Sequence, residues 1–320
     1  MKKLFSLTVS MCCVITGFVF ITTCSTNQKK LTPREGYIHV NGGKIWYKIV
    51  GEGNKTPLLL LHGGPAIPSY YLNPIGELSK DRPIIFYDQL GCGRSDRVTD
   101  TTLMSIDHFV EELKQVHDSL GLKDFYLYGH SWGTMLGTDF YLKYPAGIKA
   151  MILASPALSM TRWMQDADTL IKTLPDSVQN AIHVNEENKT YDAPSYQQAV
   201  QIFYEHFVAR KLPWSADIDS SISQAGMNVY QYMNGPSEFT VTGQLKNYDR
   251  TNRLSEIKVP VLFIAGEYDE ALPSTVQYYQ SLLPGAKFTE IANAGHLTMQ
   301  DNPEENNKVI KDFLDSLGKK

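Results

Sequence analysis

Five short stretches of this chain are apolar nearly from end to end: residues 57–61 (PLLLL), 84–87 (IIFY), 125–128 (FYLY), 150–155 (AMILAS) and 260–265 (PVLFIA). A strand with one wet face alternates apolar and polar residues, so unbroken runs of this length fit strands covered on both faces. Between the runs lie stretches of helical periodicity, notably residues 105–120 and 132–144. That alternation predicts an α/β fold with a doubly wound, mostly parallel sheet. Residues 37–40 and 44–50 alternate instead, and Asn41-Gly42-Gly43 between them predicts a hairpin at the antiparallel edge of the sheet.

A chain of 320 residues accommodates one such core with an insertion. From residue 156 to 253 no buried-strand run occurs, and Tyr196, Ile202, Phe203, Phe207 and Tyr230 recur at helical spacing. This segment is expected to be a helical cap inserted into a core made of residues 36–155 and 254–320. The core resumes with a helix near 274–283, a strand near 287–291 and an amphipathic helix over 303–317. The formal net charge of −4 offers no basic surface to a polyanion, which argues against nucleic-acid binding.

Lys2 and Lys3 precede residues 4–21, which carry no charge, and Ile21-Thr22-Thr23-Cys24 resembles a bacterial lipobox. Residues 1–24 are therefore expected to be a lipoprotein-type signal peptide with Cys24 as the lipidated residue, and residues 25–35 a tether. This implies export and membrane attachment through a lipid anchor at the bacterial cell envelope, with a periplasmic catalytic domain. An uncleaved membrane anchor and simple secretion are the alternatives. Of the four cysteines, Cys12, Cys13 and Cys24 fall in this segment, which leaves Cys92 without a disulfide partner in the folded part. No Cys/His cluster has zinc-ligand spacing, and neither a metal nor a cofactor is expected.

Gly129-His130-Ser131-Trp132-Gly133 follows one buried run and opens the next helical stretch. In that context a G-x-S-x-G sequence is a nucleophile elbow. A serine hydroxyl is a weak nucleophile near neutral pH and needs a base, with a carboxylate to hold the imidazolium. Asp269 lies just past residues 260–265 and His296 just past 287–291, in the chain order serine, acid, histidine and at carboxyl ends of strands. Ser131 is thus expected as nucleophile, His296 as general base and Asp269 as its orienting acid. The N–H groups of Gly64, in Leu61-His62-Gly63-Gly64-Pro65, and of Trp132 are expected to form the oxyanion hole, with His62 bracing the loop. The segment from Asp88 to Ser95 lacks the full glycine fingerprint of a nucleotide site and reads as structural, with Cys92 inert.

Together these pieces resemble the proline iminopeptidase family of α/β hydrolases over about residues 36–317. The resemblance is carried by His62-Gly63-Gly64-Pro65, by Asp88-Gln89-Leu90-Gly91 with Gly93 and Ser95, by the Ser131 motif, by Asn234-Gly235-Pro236-Ser237-Glu238-Phe239, and by Gly266-Glu267-Tyr268-Asp269-Glu270. It implies a serine aminopeptidase releasing an N-terminal proline or other small apolar residue from short peptides with a free N-terminus. It also implies that Glu238 and Glu270 hold the free α-amine. Ala66 and Leu90 stand where the family commonly has Gly and Arg. An esterase or amidase of the same fold, acting on non-peptide substrates, is the enzymatic alternative. Ser131 argues against the dehalogenases and epoxide hydrolases that use an aspartate nucleophile, and the triad argues against a catalytically silent binding protein. Trp163, Trp214, Tyr230 and Phe239 either line an apolar pocket or form cap core. Nothing in the sequence sets an oligomeric state.

Overall fold

The computed structural model describes residues 30–318. The expected signal peptide with Cys24, and residues 25–29 of the expected tether, lie outside them. Among the described residues no helix is long and apolar enough to cross a membrane.

Eight strands among the described residues form one sheet: β1 (Arg34–Val40), β2 (Gly43–Val50), β3 (Leu58–Leu61), β4 (Ile84–Tyr87), β5 (Phe125–His130), β6 (Ile148–Ala154), β7 (Val261–Gly266) and β8 (Lys287–Ile291). Their spatial order is β1-β2-β4-β3-β5-β6-β7-β8, with the β1-β2 hairpin antiparallel at one edge and β3 to β8 mutually parallel. The tether expectation needs correcting at its end. Leu31 is buried and bridges Gly53, and β1 begins at Arg34, so the folded part starts before residue 36.

The unbroken apolar runs follow from cover on both faces. Leu59 and Leu61 of β3 join the cluster that holds Leu113 and Leu136, while Leu58 and Leu60 join the one that holds Ile75 and Phe313. The first of these clusters is built with α1 (Ile106–Leu120) and α2 (Trp132–Lys143). Ser105 caps α1 by accepting the His108 N–H, and Gly121 ends it in the left-handed conformation at φ 64°. Between β6 and β7 come α3 (Met160–Ile171), α4 (Asp176–Asn188), α5 (Pro194–Phe207), α6 (Ala216–Ser223) and α7 (Met227–Met233). Tyr196, Phe203 and Phe239 from this segment make an apolar cluster separate from the two sheet faces. After β7 the chain adds α8 (Pro273–Ser281), α9 (Thr298–Asp301) and α10 (Pro303–Leu317); α10 packs with the 3-10 stretch Ser69–Lys80 on the second face.

Candidate active site

Loops at the carboxyl ends of β3, β5, β7 and β8 converge, the place where open α/β sheets bind ligands. Ser131 stands between β5 and α2 at φ 53° and ψ −123°, a backbone conformation that is strained for any residue with a Cβ. The turn is this tight because glycine flanks it. A Cβ on Gly129 would lie 2.4 Å from the Gly133 carbonyl oxygen, and one on Gly133 would lie 2.2 Å from the Leu61 carbonyl oxygen. The elbow therefore presses directly on the loop that follows β3.

In that loop the Gly63 carbonyl is held by His62 Nδ1 at 3.0 Å and by the Ile67 N–H at 3.3 Å. The Gly64 N–H belongs to the same planar trans peptide and points the opposite way. Gly64 and Ser131 line one cavity. Trp132 is the first residue of α2, so its N–H has no acceptor one turn back within the helix, while its indole is buried and donates to Gln89 Oε1 at 2.8 Å. His62 is fully buried, its Nε2 accepts the Gln89 N–H at 2.9 Å, and burial lowers its pKa to about 4. It is a neutral brace. Cys92 is buried beside it with its thiol pushed up by that burial, which disfavours the reactive thiolate.

His296 Nδ1 lies 2.8 Å from Asp269 Oδ1. With a carboxylate as acceptor, Nδ1 carries the proton and Nε2 is left as the basic nitrogen. Asp269 is fully buried and accepts the N–H groups of Ala271 at 2.8 Å and Gly266 at 3.1 Å, and the Ser155 hydroxyl lies 2.6 Å from its Oδ2. The imidazole is flanked by Trp163, with ring centroids 5.5 Å apart, and by His130 at 4.6 Å. The His296 N–H donates to the Phe207 carbonyl at 2.9 Å, which ties the base to the end of α5.

Glu238, from the loop after α7, and Glu270, next to Asp269, reach the same cavity as Ser131 and His296. The Tyr230 hydroxyl donates to Glu238 Oε1 at 2.7 Å, and Asn234 Nδ2 donates to the Tyr230 oxygen at 3.2 Å. Trp163 Nε1–H holds the backbone carbonyl of Glu238 at 2.7 Å. Glu270 is buried; its Oε1 lies 3.6 Å from His296 Nε2 and has no hydrogen-bond partner among the described residues. Burial raises both glutamates, Glu270 well above the usual carboxylate range, and the charges of Glu238 and Asp269 push Glu270 further. Among the described residues no lysine or arginine lines this cavity of about 340 Å³. Two such carboxyls with no cation beside them make a site that a small cation completes.

Trp214 and Tyr230 line the cavity. Phe239 instead packs in the cap against Phe203, at 4.8 Å between centroids, and Trp163 is buried behind the base. Sequence reasoning does not pick out Tyr71, His130 or Ser155. His130 at least adjoins the nucleophile; Tyr71 and Ser155 carry no local signal, because their partners Gly63, His130 and Asp269 meet them only through the fold.

Residues 56–303 match the family model described as alpha/beta hydrolase fold. The chain is 45% identical over 287 residues to a proline iminopeptidase of Heyndrickxia coagulans, covering 88% of this chain and 99% of that one. Among solved structures it is similar to VinJ, with a TM-score of 0.86 and 32% identity over 89% of this chain and 100% of that one. It is also similar to the proline iminopeptidase of Mycobacterium smegmatis, with a TM-score of 0.82 and 32% identity over 89% of this chain and 98% of that one.

Proposed function

The chain belongs to the proline iminopeptidase family of α/β hydrolases, and from that premise we propose that it releases an N-terminal proline, or another small apolar residue, from short peptides through an acyl-enzyme. Ser131 Oγ attacks the scissile carbonyl while His296 Nε2 takes its proton, and Asp269 stabilises the imidazolium. The N–H groups of Gly64 and Trp132 receive the oxyanion. The imidazolium then protonates the leaving nitrogen and the C–N bond breaks; water attacks the acyl-enzyme with His296 again as base, and the imidazolium returns the proton to Ser131 Oγ as the Oγ–acyl bond breaks and the free N-terminal residue leaves.

The observation that carries the step from hydrolase to aminopeptidase is the carboxyl pair Glu238 and Glu270, with an oxygen left unpartnered and no lysine or arginine lining the cavity among the described residues. A substrate's terminal ammonium supplies that cation. Hydrolysis of aminoacyl arylamides, free and N-acetylated, tests it. Free prolyl arylamide is expected to be cleaved and its N-acetyl form hardly at all. Charge-assisted hydrogen bonds contribute roughly 1.5–3 kcal/mol each, so Glu238→Gln is expected to lower kcat/KM for free-amine substrates about ten- to a hundredfold and to change hydrolysis of a small neutral ester little. Blocked substrates cleaved as fast as free ones would replace this reading with the esterase or amidase one.

The pattern of residues 1–24 supports a further part of the proposal, a lipid anchor at Cys24 that holds the catalytic part on the periplasmic side of a bacterial envelope. Cys24→Ser is expected to abolish incorporation of labelled fatty acid. An unaltered protein that takes up no label would leave secretion or an uncleaved anchor in its place.

A further inference from the structure

Four of the residues that line the active-site cavity are exposed: Gln197, Gln201, Ile222 and Met227. They mark its opening. Gln197 and Gln201 stand one turn apart on α5 and form one side of it. Ile222 on α6 and Met227 at the start of α7 form the other side, and they are 53% and 46% exposed although both are large and apolar. The opposite end of the cavity, at Glu270 and His296, is buried.

Resting on the aminopeptidase reading, we propose that this opening is a binding subsite for the residue after the released one, and that it selects an apolar side chain there. A peptide whose ammonium is held at Glu238 and Glu270, with its first carbonyl over Ser131, has to leave the cavity through the opening. The segment beyond the scissile bond then runs between an amide wall and an apolar wall. The apolar wall continues inward through Ile218 and Ala225. It is also held in register with the reacting carbonyl: the Gly226 N–H donates to the Ala66 carbonyl at 2.9 Å, and the Tyr71 N–H donates to Ser221 Oγ at 3.0 Å, which ties α6 and its junction with α7 to the oxyanion loop. Gln197 Nε2 donates to the Tyr191 carbonyl at 2.7 Å and Gln201 Nε2 to Glu205 Oε1 at 2.8 Å, which leaves each amide a carbonyl oxygen to accept the N–H of a peptide of any sequence. None of the four residues carries a charge, and the carboxylate bonded to one of them, Glu205 on Gln201 Nε2 at 2.8 Å, disfavours an acidic side chain, whereas an apolar one covers Ile222 and Met227.

The test uses the dipeptide amides Pro-Leu-NH2, Pro-Phe-NH2, Pro-Gly-NH2 and Pro-Asp-NH2, each kcat/KM divided by that for prolinamide on the same protein. Prolinamide ends at the scissile nitrogen and reaches none of the four residues. With the unaltered enzyme the leucyl and phenylalanyl substrates are expected to exceed the glycyl and aspartyl ones roughly tenfold, the discrimination an apolar subsite affords for one side chain. The double replacement Ile222→Ser with Met227→Ser, at two exposed positions that the fold does not depend on, is expected to compress that ratio to within about twofold. Gln197→Ala with Gln201→Ala is expected to lower all four dipeptide amides alike relative to prolinamide. An unaltered enzyme without the preference, or a preference that survives the serine replacements, overturns the subsite. Failure to hydrolyse prolinamide at all overturns the aminopeptidase reading and the subsite together.

Discussion

His130 admits one arrangement of its protons. Its Nε2 lies 2.9 Å from the His296 carbonyl oxygen, which only accepts, so Nε2 carries the hydrogen. Nδ1 therefore accepts from the Tyr71 hydroxyl at 2.9 Å, and the Tyr71 oxygen accepts the Gly63 N–H at 2.6 Å. Burial, with His296 adding to it, keeps His130 well below the usual histidine range and thus neutral. The three bonds join the oxyanion loop to the backbone of the base. Tyr71→Phe keeps the ring and removes the link; it is expected to lower kcat for prolyl arylamide about tenfold, with KM changed less than about twofold, since a loosened oxyanion donor acts on the transition state. An unchanged kcat would show that His62 and Ile67 hold the loop unaided. Ser131→Ala is expected to remove roughly four to six orders of magnitude of turnover while leaving thermal unfolding in place. Residue by residue, what was legible from local pattern is what sits in a short motif past a strand, Ser131, Asp269, His296 and Gly64, whereas Glu238, in the loop after α7, and Glu270 were legible only through the family resemblance. Tyr71 and Ser155 were not, since each acts across the fold on a group far from it in sequence.

At the scale of elements, the buried strands read well because cover on both faces leaves no room for a polar residue, and β4 begins and ends where its apolar run does. The edge strand β8 is half-wet, with Lys287 and Glu290 exposed, and is recognisable only from its place between two helices. The 3-10 stretch Ser69–Lys80 buries Tyr71, Leu72, Ile75 and Leu78 at helical spacing, but Pro74 inside it breaks the pattern a regular helix would show. Ala66 lies at φ 63° in the oxyanion loop, a conformation that glycine adopts without strain. The contact between β3 and α2 is the joint on which the elbow depends. Gly133→Ala puts a methyl 2.2 Å from the Leu61 carbonyl oxygen and less than 3 Å from that of His62, so strand and helix have to separate. The expected loss is about 3 kcal/mol in urea unfolding, the upper end for overpacking, together with a fall in kcat because the same separation moves the Gly64 N–H. Full stability in this variant would mean that the elbow flexes more than its packing implies.

Across the whole molecule, the carboxyls that serve or underlie the site set a dependence of stability on pH. Burial raises Glu238 and Glu270, and it raises Glu112 to about 8. Glu112 takes only the Leu90 N–H, at 3.1 Å, and its Oε1 has no hydrogen-bond partner among the described residues. The folded chain binds these protons more tightly than the unfolded one, so their contribution is fully present below the ordinary glutamate value of 4.5 and is lost as pH rises through the raised values. Asp88 works the other way: despite its burial, the hydrogen bonds and charge of Arg94 lower it, and its contribution is lost as pH falls. A single pH curve mixes the two, whereas a difference between variants isolates one group. Glu270→Gln keeps the shape of the side chain and removes its ionisation. Its melting temperature is expected to exceed that of the unaltered protein by roughly 2–4 °C near pH 8, with the gain shrinking toward zero near pH 5. The same variant is expected to lose activity on free-amine substrates, which would mark the glutamate as a group that destabilises the empty enzyme and acts only when a substrate is bound. A gain in melting temperature that stays constant from pH 5 to 8 would show that Glu270 does not hold its proton in the folded chain.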